Sequence, residues 1–251
     1  MRLNMDKKAP ILVQGAMDIE IEVLKNSIEN IEEIIVDSYK FYKGKLEGYP
    51  IVISKTEIGI MNCGIATLLG IKHFSPSIII NQGTAGGFGK TTHRGDIVIG
   101  ENCFNLNSYK TPYLKKGQGS NPFNWELQTF REGIDQFEKI EADTVLIQFI
   151  KTHEKEIWDK QVIYGTIGSG DCWNQEIDYI TYLNEKYGAL GEDMETIGAY
   201  KIAHRYEVPI VGIRVISDNE ILQEEYDRTL ADKAQEFTIS LCNKWIKEGN
   251  K

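Results

Sequence analysis

The apolar run from 208 to 216 is the feature that most constrains how this chain can fold. It carries one charge, Arg214, and it ends abruptly in Ser217-Asp218. A predominantly apolar stretch of this length is typical of a central parallel strand that is covered on both faces. In open α/β sheets, ligand sites lie outside the carboxyl ends of such strands. We therefore expect Ser217 and Asp218 to lie beside a ligand site.

Strands and helices alternate along the rest of the chain. This alternation predicts an α/β fold, with a mixed, mostly parallel central sheet flanked by helices. Because no internal repeat or linker interrupts it, we expect a single domain over residues 1–251. The predicted strands are 11–17, 77–81, 94–100, 161–168 and 208–216. The predicted helices are 18–28, 62–74, 141–154, 175–187 and 224–247, with one more beginning at Glu195.

Two segments depart from the alternation. Residues 33–54 read as a β-hairpin with its turn at Lys43-Gly44. Residues 105–139 form a long excursion rich in Asn, Gly, Pro, Lys and aromatic residues, without clear periodicity. Long loops of compact domains are usually lids or binding loops, although this one could equally be a surface decoration.

Composition excludes several classes of function. The net charge of −9 argues against nucleic acid or an anionic membrane as a partner. Neither a membrane span nor the apolar core of a signal peptide is present, so we expect a soluble, cytoplasmic protein. The four cysteines form no CxxC pair and favour a reducing compartment. The four histidines lack metal-binding spacing, so we expect neither a metal nor another cofactor.

Four strand ends carry clusters of small and polar residues: 15–20, 83–87, 169–173 and 214–218. Because ligand sites lie at the carboxyl ends of strands, these clusters should meet in space. The glycine-rich cluster Gly83-Thr-Ala-Gly-Gly87 reads as a turn whose amides could bind an anion or a hydroxyl group. It matches neither of the common phosphate-binding loops, so it gives little support for a nucleotide diphosphate.

The acidic residues of these clusters also have purely structural interpretations. Glu20 and Glu195 would lie in first helical turns, where the helix dipole favours negative charge. Asp18 is a plausible N-cap, and Asp218 could cap the segment that follows its strand. Residue type alone therefore favours neither a structural nor a catalytic role for these acidic residues.

Taken together, five motifs resemble the nucleoside phosphorylase and nucleosidase superfamily. Within it, the sequence is most similar to the 5′-methylthioadenosine/S-adenosylhomocysteine nucleosidases. The resemblance extends from residue 11 to about residue 247 and is weakest over 105–139. The motifs are Gly15-Ala-Met-Asp-Ile-Glu20, Gly83-Thr-Ala-Gly-Gly87, Ser169-Gly-Asp171, Asp193-Met-Glu195 and Ile213-Arg-Val-Ile-Ser-Asp218.

The resemblance implies hydrolysis of the N-glycosidic bond of a purine nucleoside. It makes Asp218 the general acid at the purine N7 and Glu20 the base that activates water, with Arg214 and Thr84 helping to hold that water. Glu195 would bind the ribose hydroxyls, and the chain around Trp173 would stack on the base and offer it backbone hydrogen bonds. The other substrate-binding residues that it implies are Met17, Asn174, Met194 and Ser217.

Two alternatives remain open beside this reading. A purine nucleoside phosphorylase of the same fold needs cationic groups for phosphate, whereas no Arg or Lys occurs between Gly15 and Lys25. A non-catalytic nucleoside-binding or storage protein would not need intact Glu20, Glu195 and Asp218. The superfamily also implies a homodimer with active sites near the interface. Thr84 in place of Ser, and Trp173-Asn174 in place of Phe and an aliphatic residue, leave the identity of the nucleoside open.

Overall fold

A computed structural model describes residues 8–133 and 136–249 of the chain. Twelve strands and six α-helices are found there. The strands are β1 (Ile11–Gly15), β2 (Glu29–Val36), β3 (Tyr39–Leu46), β4 (Tyr49–Lys55), β5 (Ile78–Gly87), β6 (Ile97–Asn105), β7 (Tyr109–Lys110), β8 (Glu126–Leu127), β9 (Ile140–Glu141), β10 (Val162–Ser169), β11 (Ala189–Asp193) and β12 (Ile210–Asp218). The helices are α1 (Glu22–Ser27), α2 (Ile60–Phe74), α3 (Thr144–Ile157), α4 (Ile177–Tyr187), α5 (Thr196–Arg205) and α6 (Ala231–Lys244).

The sheet is mixed and runs in the order β11-β10-β6-β12-β5-β1-β4-β3-β2. Strands β4, β1, β5 and β12 are mutually parallel, and so are β6, β10 and β11. The two groups meet antiparallel where β6 pairs with β12 and where β11 pairs with β5. This second pairing closes five strands into a ring at one end of the sheet. The predicted single-domain α/β fold is confirmed.

The core lies on both faces of this sheet. Residues of β1 and β12 alternate between a cluster with α1, α3 and α6 on one face and a cluster with α2 and α5 on the other. Every residue of β12 is buried, as predicted for a strand covered on both sides. Helices α2 and α5 approach most closely at Gly198, where a Cβ would lie 2.3 Å from the carbonyl oxygen of Ile60.

The hairpin predicted over residues 33–54 has its turn at the wrong position. Strands β2, β3 and β4 form an antiparallel meander whose turns are Asp37-Ser38 and Glu47-Gly48, all four residues with positive φ. Positive φ at both central residues is the geometry of a tight type I′ hairpin turn. Gly44 instead lies inside β3, where a Cβ would stand 2.8 Å from the carbonyl oxygen of Glu29. Glycine at this position allows the two strands to approach closely and does not reverse the chain.

Three further predictions need correction. The cluster 83–87 is the last part of β5, because β12 on one side and β11 on the other pair with its backbone. Strand β11 was not predicted, and the last helix begins at residue 231 instead of 224. Asp18 is not a cap: it lies within a 3₁₀ turn (Asp18–Glu20) and pairs with Lys55 at 2.9 Å.

The excursion is partly ordered and packs beside α4. Strands β7 and β8 pair, and Phe123 contacts Tyr182 edge to face with 5.4 Å between ring centroids. Phe104, at its start, is fully buried, whereas Tyr113 and Phe130 are exposed. Among the helices of the described residues, none is long and apolar enough to cross a membrane.

Candidate active site

A cavity of about 240 Å³ opens at the carboxyl ends of β1, β5, β11 and β12. The four predicted clusters therefore meet, as strand geometry requires. Most of the predicted site residues line the cavity, namely Met17, Glu20, Thr84, Trp173, Met194, Glu195, Ser217 and Asp218. Arg214 and Asn174 lie behind its wall. Lining residues from outside the predicted set include Ile58, Cys172, Glu192 and Tyr226.

The carboxylate of Glu20 is buried and held by four donors. Its Oε2 accepts hydrogen bonds from the backbone N–H groups of Ala16 at 2.9 Å and Met17 at 3.1 Å. Its Oε1 accepts from the N–H of Thr84 at 2.9 Å and from the Thr84 hydroxyl at 3.2 Å. Donors of this kind favour the ionised form of a carboxyl group. The arrangement therefore fixes an anion at the cavity floor.

Glycine at position 83 makes this arrangement possible. A Cβ on Gly83 would lie 2.7 Å from Oε1 of Glu20, so a larger residue would displace the carboxylate. The neighbouring Gln82 side chain donates to the carbonyl oxygen of Glu20 at 2.7 Å and anchors its backbone. The glycine-rich cluster thus binds a carboxylate of this chain with its backbone, whereas the sequence suggested a binding loop for a ligand.

Arg214 lies beneath the site, fully buried in β12. Its Nη2 forms an ion pair with Oδ2 of Asp193 at 2.6 Å and donates to Oδ1 of Asn81 at 2.5 Å. Its Nη1 donates to the carbonyl oxygens of Asn81 and Ile213. Its outer nitrogens therefore have protein partners. Arg214 therefore holds neighbouring strands together, and its expected role in holding water stays a prediction.

Glu195 stands at the start of α5 and faces the cavity. Its Oε1 accepts a hydrogen bond from the N–H of Gly59 at 3.0 Å. Burial, followed by the nearby carboxylates of Asp193 and Glu20, raises the pKa of Glu195. Hydrogen-bond donors would stabilise the ionised form of this carboxyl group, and the hydroxyl groups of a sugar would supply such donors.

Asp218 is the last residue of β12 and is 5% exposed. Burial raises its pKa, although a hydrogen bond from the Ser217 hydroxyl, at 2.6 Å from Oδ1, acts in the opposite direction. An unperturbed Asp would hold a proton in only about one molecule per thousand at pH 7. Burial thus moves Asp218 toward what a general acid requires, whereas the donors around Glu20 favour an anion.

A family model described as the phosphorylase superfamily matches residues 10–244. The chain belongs to the phosphorylase superfamily. Over 209 residues it is 31% identical to a 5′-methylthioadenosine/S-adenosylhomocysteine nucleosidase of Anoxybacillus flavithermus, covering 83% of this chain and 84% of that one. An enzyme of the same name from a Geobacillus species is 27% identical over 239 residues, which cover 93% of this chain and 97% of the relative.

Solved structures of the superfamily share the fold. The nucleosidase of that name from Neisseria meningitidis, crystallised with methylthio-immucillin-A, superposes with a TM-score of 0.77 at 25% identity. The alignment covers 94% of this chain and 99% of that one. The resemblance stated from the five sequence motifs is therefore confirmed.

Glu192 is the site residue that sequence reasoning missed. It is 5% exposed, lines the cavity and accepts a hydrogen bond from the backbone N–H of Asn174 at 2.7 Å. Burial raises its pKa to about 7. Its position two residues before Met194, on an unpredicted strand that alternates faces, is the signal that could have revealed it.

The buried ion pair yields a stability prediction. Asp193→Asn keeps an oxygen that can accept from the N–H groups of Glu195 and Thr196, but leaves Arg214 without its anion. Breaking a buried pair typically costs about 3–5 kcal/mol. The matched control is Asp18→Asn, which breaks the exposed pair with Lys55 and should cost about 0–1 kcal/mol. Denaturant unfolding measures both; similar losses in the two variants would contradict the assigned role of Arg214 and Asp193.

Proposed function

We propose that this protein hydrolyses the N-glycosidic bond of purine nucleosides, with 5′-methylthioadenosine and S-adenosylhomocysteine as the substrates that the relatives' names suggest. The observation that carries this proposal is the pair of carboxyl groups in one cavity with opposite environments. Glu20 is held by four donors, and Asp218 is desolvated. General acid–base catalysis needs one carboxyl group that gives a proton and another that takes one, and these two environments suit those two roles.

Cleavage of the N-glycosidic bond requires one carboxyl group that gives a proton and another that takes one. Cleavage passes through a sugar cation, so catalysis needs a better leaving group and a nearby nucleophile. Asp218 protonates N7 of the base, which neutralises the charge that develops on the departing purine. Ionised Glu20 takes a proton from water and stabilises the positive sugar. Thr84 holds Glu20 in place through its N–H and hydroxyl.

The remaining cavity residues bind the two halves of the substrate. Glu195, beside Met194, accepts hydrogen bonds from the ribose hydroxyls, and those donors also offset the cost of its burial. Trp173 is 61% exposed at the cavity mouth, where a bound base would cover its ring. Met17 and Ser217 complete the cavity wall on either side.

Water is a better acceptor than phosphate in this site. Within the described residues, no Lys or Arg lines the cavity, whereas five carboxyl groups do. Two like charges about 4 Å apart repel by roughly 4 kcal/mol at an effective dielectric of about 20. Arg214 cannot compensate, because its terminal nitrogens bind Asp193, Asn81 and Ile213. A phosphorylase reaction is therefore disfavoured, and the acid and base count against a storage protein.

The first test of the reaction asks whether water or phosphate attacks the sugar. Adenine release from 5′-methylthioadenosine should proceed at the same rate with and without millimolar phosphate, because Glu20 repels the anion. The sugar product, identified by mass spectrometry, should be free methylthioribose. A rate that depends on phosphate, together with a sugar 1-phosphate, would show that the protein is a phosphorylase.

The carboxyl groups give the second test. Asp218→Asn should fold and lose about 10²–10⁴-fold in kcat, since general acid catalysis typically contributes that much. Glu20→Gln loses the base, and its amide nitrogen replaces one oxygen that accepts from backbone N–H groups, so kcat should fall in a variant whose fold is checked by circular dichroism. Glu22→Gln is the matched control, because Glu22 is exposed and its partner among the described residues is Lys25. Near-normal turnover by a folded Asp218→Asn or Glu20→Gln variant would remove that residue from the mechanism.

We also propose a homodimer. Three exposed apolar residues lie close in sequence: Ile58 precedes α2 and lines the cavity, and Met61 and Ile65 are one turn apart on that helix. Exposed apolar patches beside a binding groove are typical of interaction surfaces. A dimer through this patch would cover the cavity mouth.

Light scattering at micromolar concentration tests the dimer. The wild type should have twice the chain mass. Met61→Lys should shift the population toward monomers, because it places a charge in the apolar contact. Val145→Lys, on the similarly exposed side chain of α3, should not. A monomeric wild type, or equal effects of the two changes, would contradict this interface.

A further inference from the structure

A second cavity, of about 570 Å³, lies between the excursion and helix α5. Cavities of roughly 300–1,000 Å³ are of the size that holds small-molecule ligands. Among the described residues, none lines both this cavity and the catalytic one. Its lining residues include Phe130, Arg131, Phe137 and Glu138 from the excursion and Lys201 and Arg205 from α5.

The second cavity is opposite in charge to the catalytic one. Its described lining holds the cations Arg131, Lys201 and Arg205, and one acidic residue, Glu138. Glu138 already pairs with Arg131 at 3.3 Å. In the part of the chain that the structure describes, no ion pair joins Lys201 or Arg205 to a carboxylate. In a protein of net charge −9, two such cations at one cavity favour the binding of an anion there.

Helix stability explains only part of this cationic cluster. Cationic side chains are favoured in the last turn of a helix, because they interact with its dipole. Arg205 lies in the last turn of α5, so this explanation covers it. Lys201 lies one turn earlier, on the same face of the helix, and Arg131 belongs to the excursion. The helix dipole therefore does not account for three cations from two parts of the chain at one cavity.

Two aromatic side chains give the second cavity an apolar part beside its cations. Phe137 is half-buried and packs edge to face on Phe104, with 5.3 Å between the ring centroids. Phe130 is 68% exposed and also lines the cavity. An exposed ring beside a cavity buries apolar area when a second ring packs against it, and aromatic pairs gain further from their geometry. The second cavity thus offers cations and aromatic surface to one ligand.

We propose that the second cavity binds a small phosphate monoester that carries an aromatic ring. A phosphate monoester has a charge of about −1.5 to −2 at pH 7, which matches the two cations Lys201 and Arg205. The guanidinium group of Arg205 can bind two phosphate oxygens at once, and the ammonium group of Lys201 adds a compact charge. The ring packs against Phe130 and Phe137. The catalytic cavity does not compete for this ligand, because its five carboxyl groups repel an anion.

Calorimetry on the wild-type protein tests this site with three probes: phenyl phosphate, phenol and inorganic phosphate. Phenyl phosphate should bind once per chain and more tightly than either of the other two, because it alone engages both the cations and the rings. Its affinity should fall as sodium chloride is added, since salt screens exposed charges. An affinity for phenyl phosphate no higher than that for phenol or for inorganic phosphate overturns the proposal.

Charge-reversal variants locate the bound phosphate. Lys201→Glu and Arg205→Glu should each weaken the binding of phenyl phosphate about 10–100-fold, as expected for the loss of a hydrogen bond to a charged group. Both side chains are exposed, so the variants should fold, which circular dichroism checks. Lys116→Glu is the matched control, because Lys116 is an exposed cation of the excursion outside the lining of this cavity. Equal losses in Lys201→Glu and Lys116→Glu would assign the binding to the overall charge and overturn the site.

A variant of Phe130 tests the aromatic part of the site. Phe130→Ala should lower the affinity for phenyl phosphate and leave that for inorganic phosphate unchanged. Tyr113→Ala is the matched control, because Tyr113 is 90% exposed on the same excursion and lies outside the lining. Equal effects of the two changes on phenyl phosphate would contradict a ring packed against Phe130.

Hydrolysis is measured in the same variants, which keeps this site distinct from the proposed function. Lys201→Glu should cleave 5′-methylthioadenosine with the kcat and KM of the wild type, because Lys201 does not line the catalytic cavity. If phenyl phosphate binds as described but no nucleoside is cleaved, the proposed function fails and the second site stands. If the nucleoside is cleaved but phenyl phosphate does not bind, the second site fails and the hydrolysis stands.

Discussion

The buried ion pair between Arg214 and Asp193 is the interaction on which the geometry of the site depends. It joins β12 to the end of β11, and Arg214 also binds both polar groups of Asn81 on β5. Asp193 in turn accepts from the backbone at the start of α5, where Glu195 stands. Desolvating two charges is costly, and this pair repays the cost only because its remaining lone pairs and protons are largely satisfied. Its contacts fix three strands and one helix relative to each other.

Around that frame, similar carboxyl groups acquire different properties from their surroundings alone. Glu20 receives four donors, so its anion is stabilised at the cavity floor. Asp218 receives one donor, from Ser217, and burial dominates its pKa. Glu192 and Glu195 also accept backbone donors, yet burial raises the pKa of Glu192 to about 7 and that of Glu195 to about 8. Carboxyl groups of one cavity can thus differ in their properties without any cation in the cavity wall of the described chain.

Much of this could be read from the sequence, for identifiable reasons. The strand 208–216 is apolar on both faces, so its burial and the place of Asp218 at its end followed from pattern alone. The prediction of a turn at Lys43-Gly44 was wrong because glycine occurs both where a chain reverses and where backbones approach closely. Only the structure, with Glu29 packed against Gly44, distinguishes the two cases. The ion pair of Arg214 with Asp193 was not predicted, because a buried arginine looks the same in sequence whether it faces a ligand or an internal carboxylate. Glu192 was missed because the short strand β11 gives too few residues for its alternation to be recognised.

The number of acids in so small a cavity is itself a constraint on the substrate. Each buried carboxyl group must either find donors or take up a proton. Glu20 finds its donors within the protein, whereas Glu195 and Glu192 are each left with capacity for more. A nucleoside brings hydroxyl and N–H groups that could supply such donors. Phosphate meets it nowhere, because it brings further acceptors and further negative charge. The same electrostatics that exclude the anion therefore favour a neutral, donor-rich ligand.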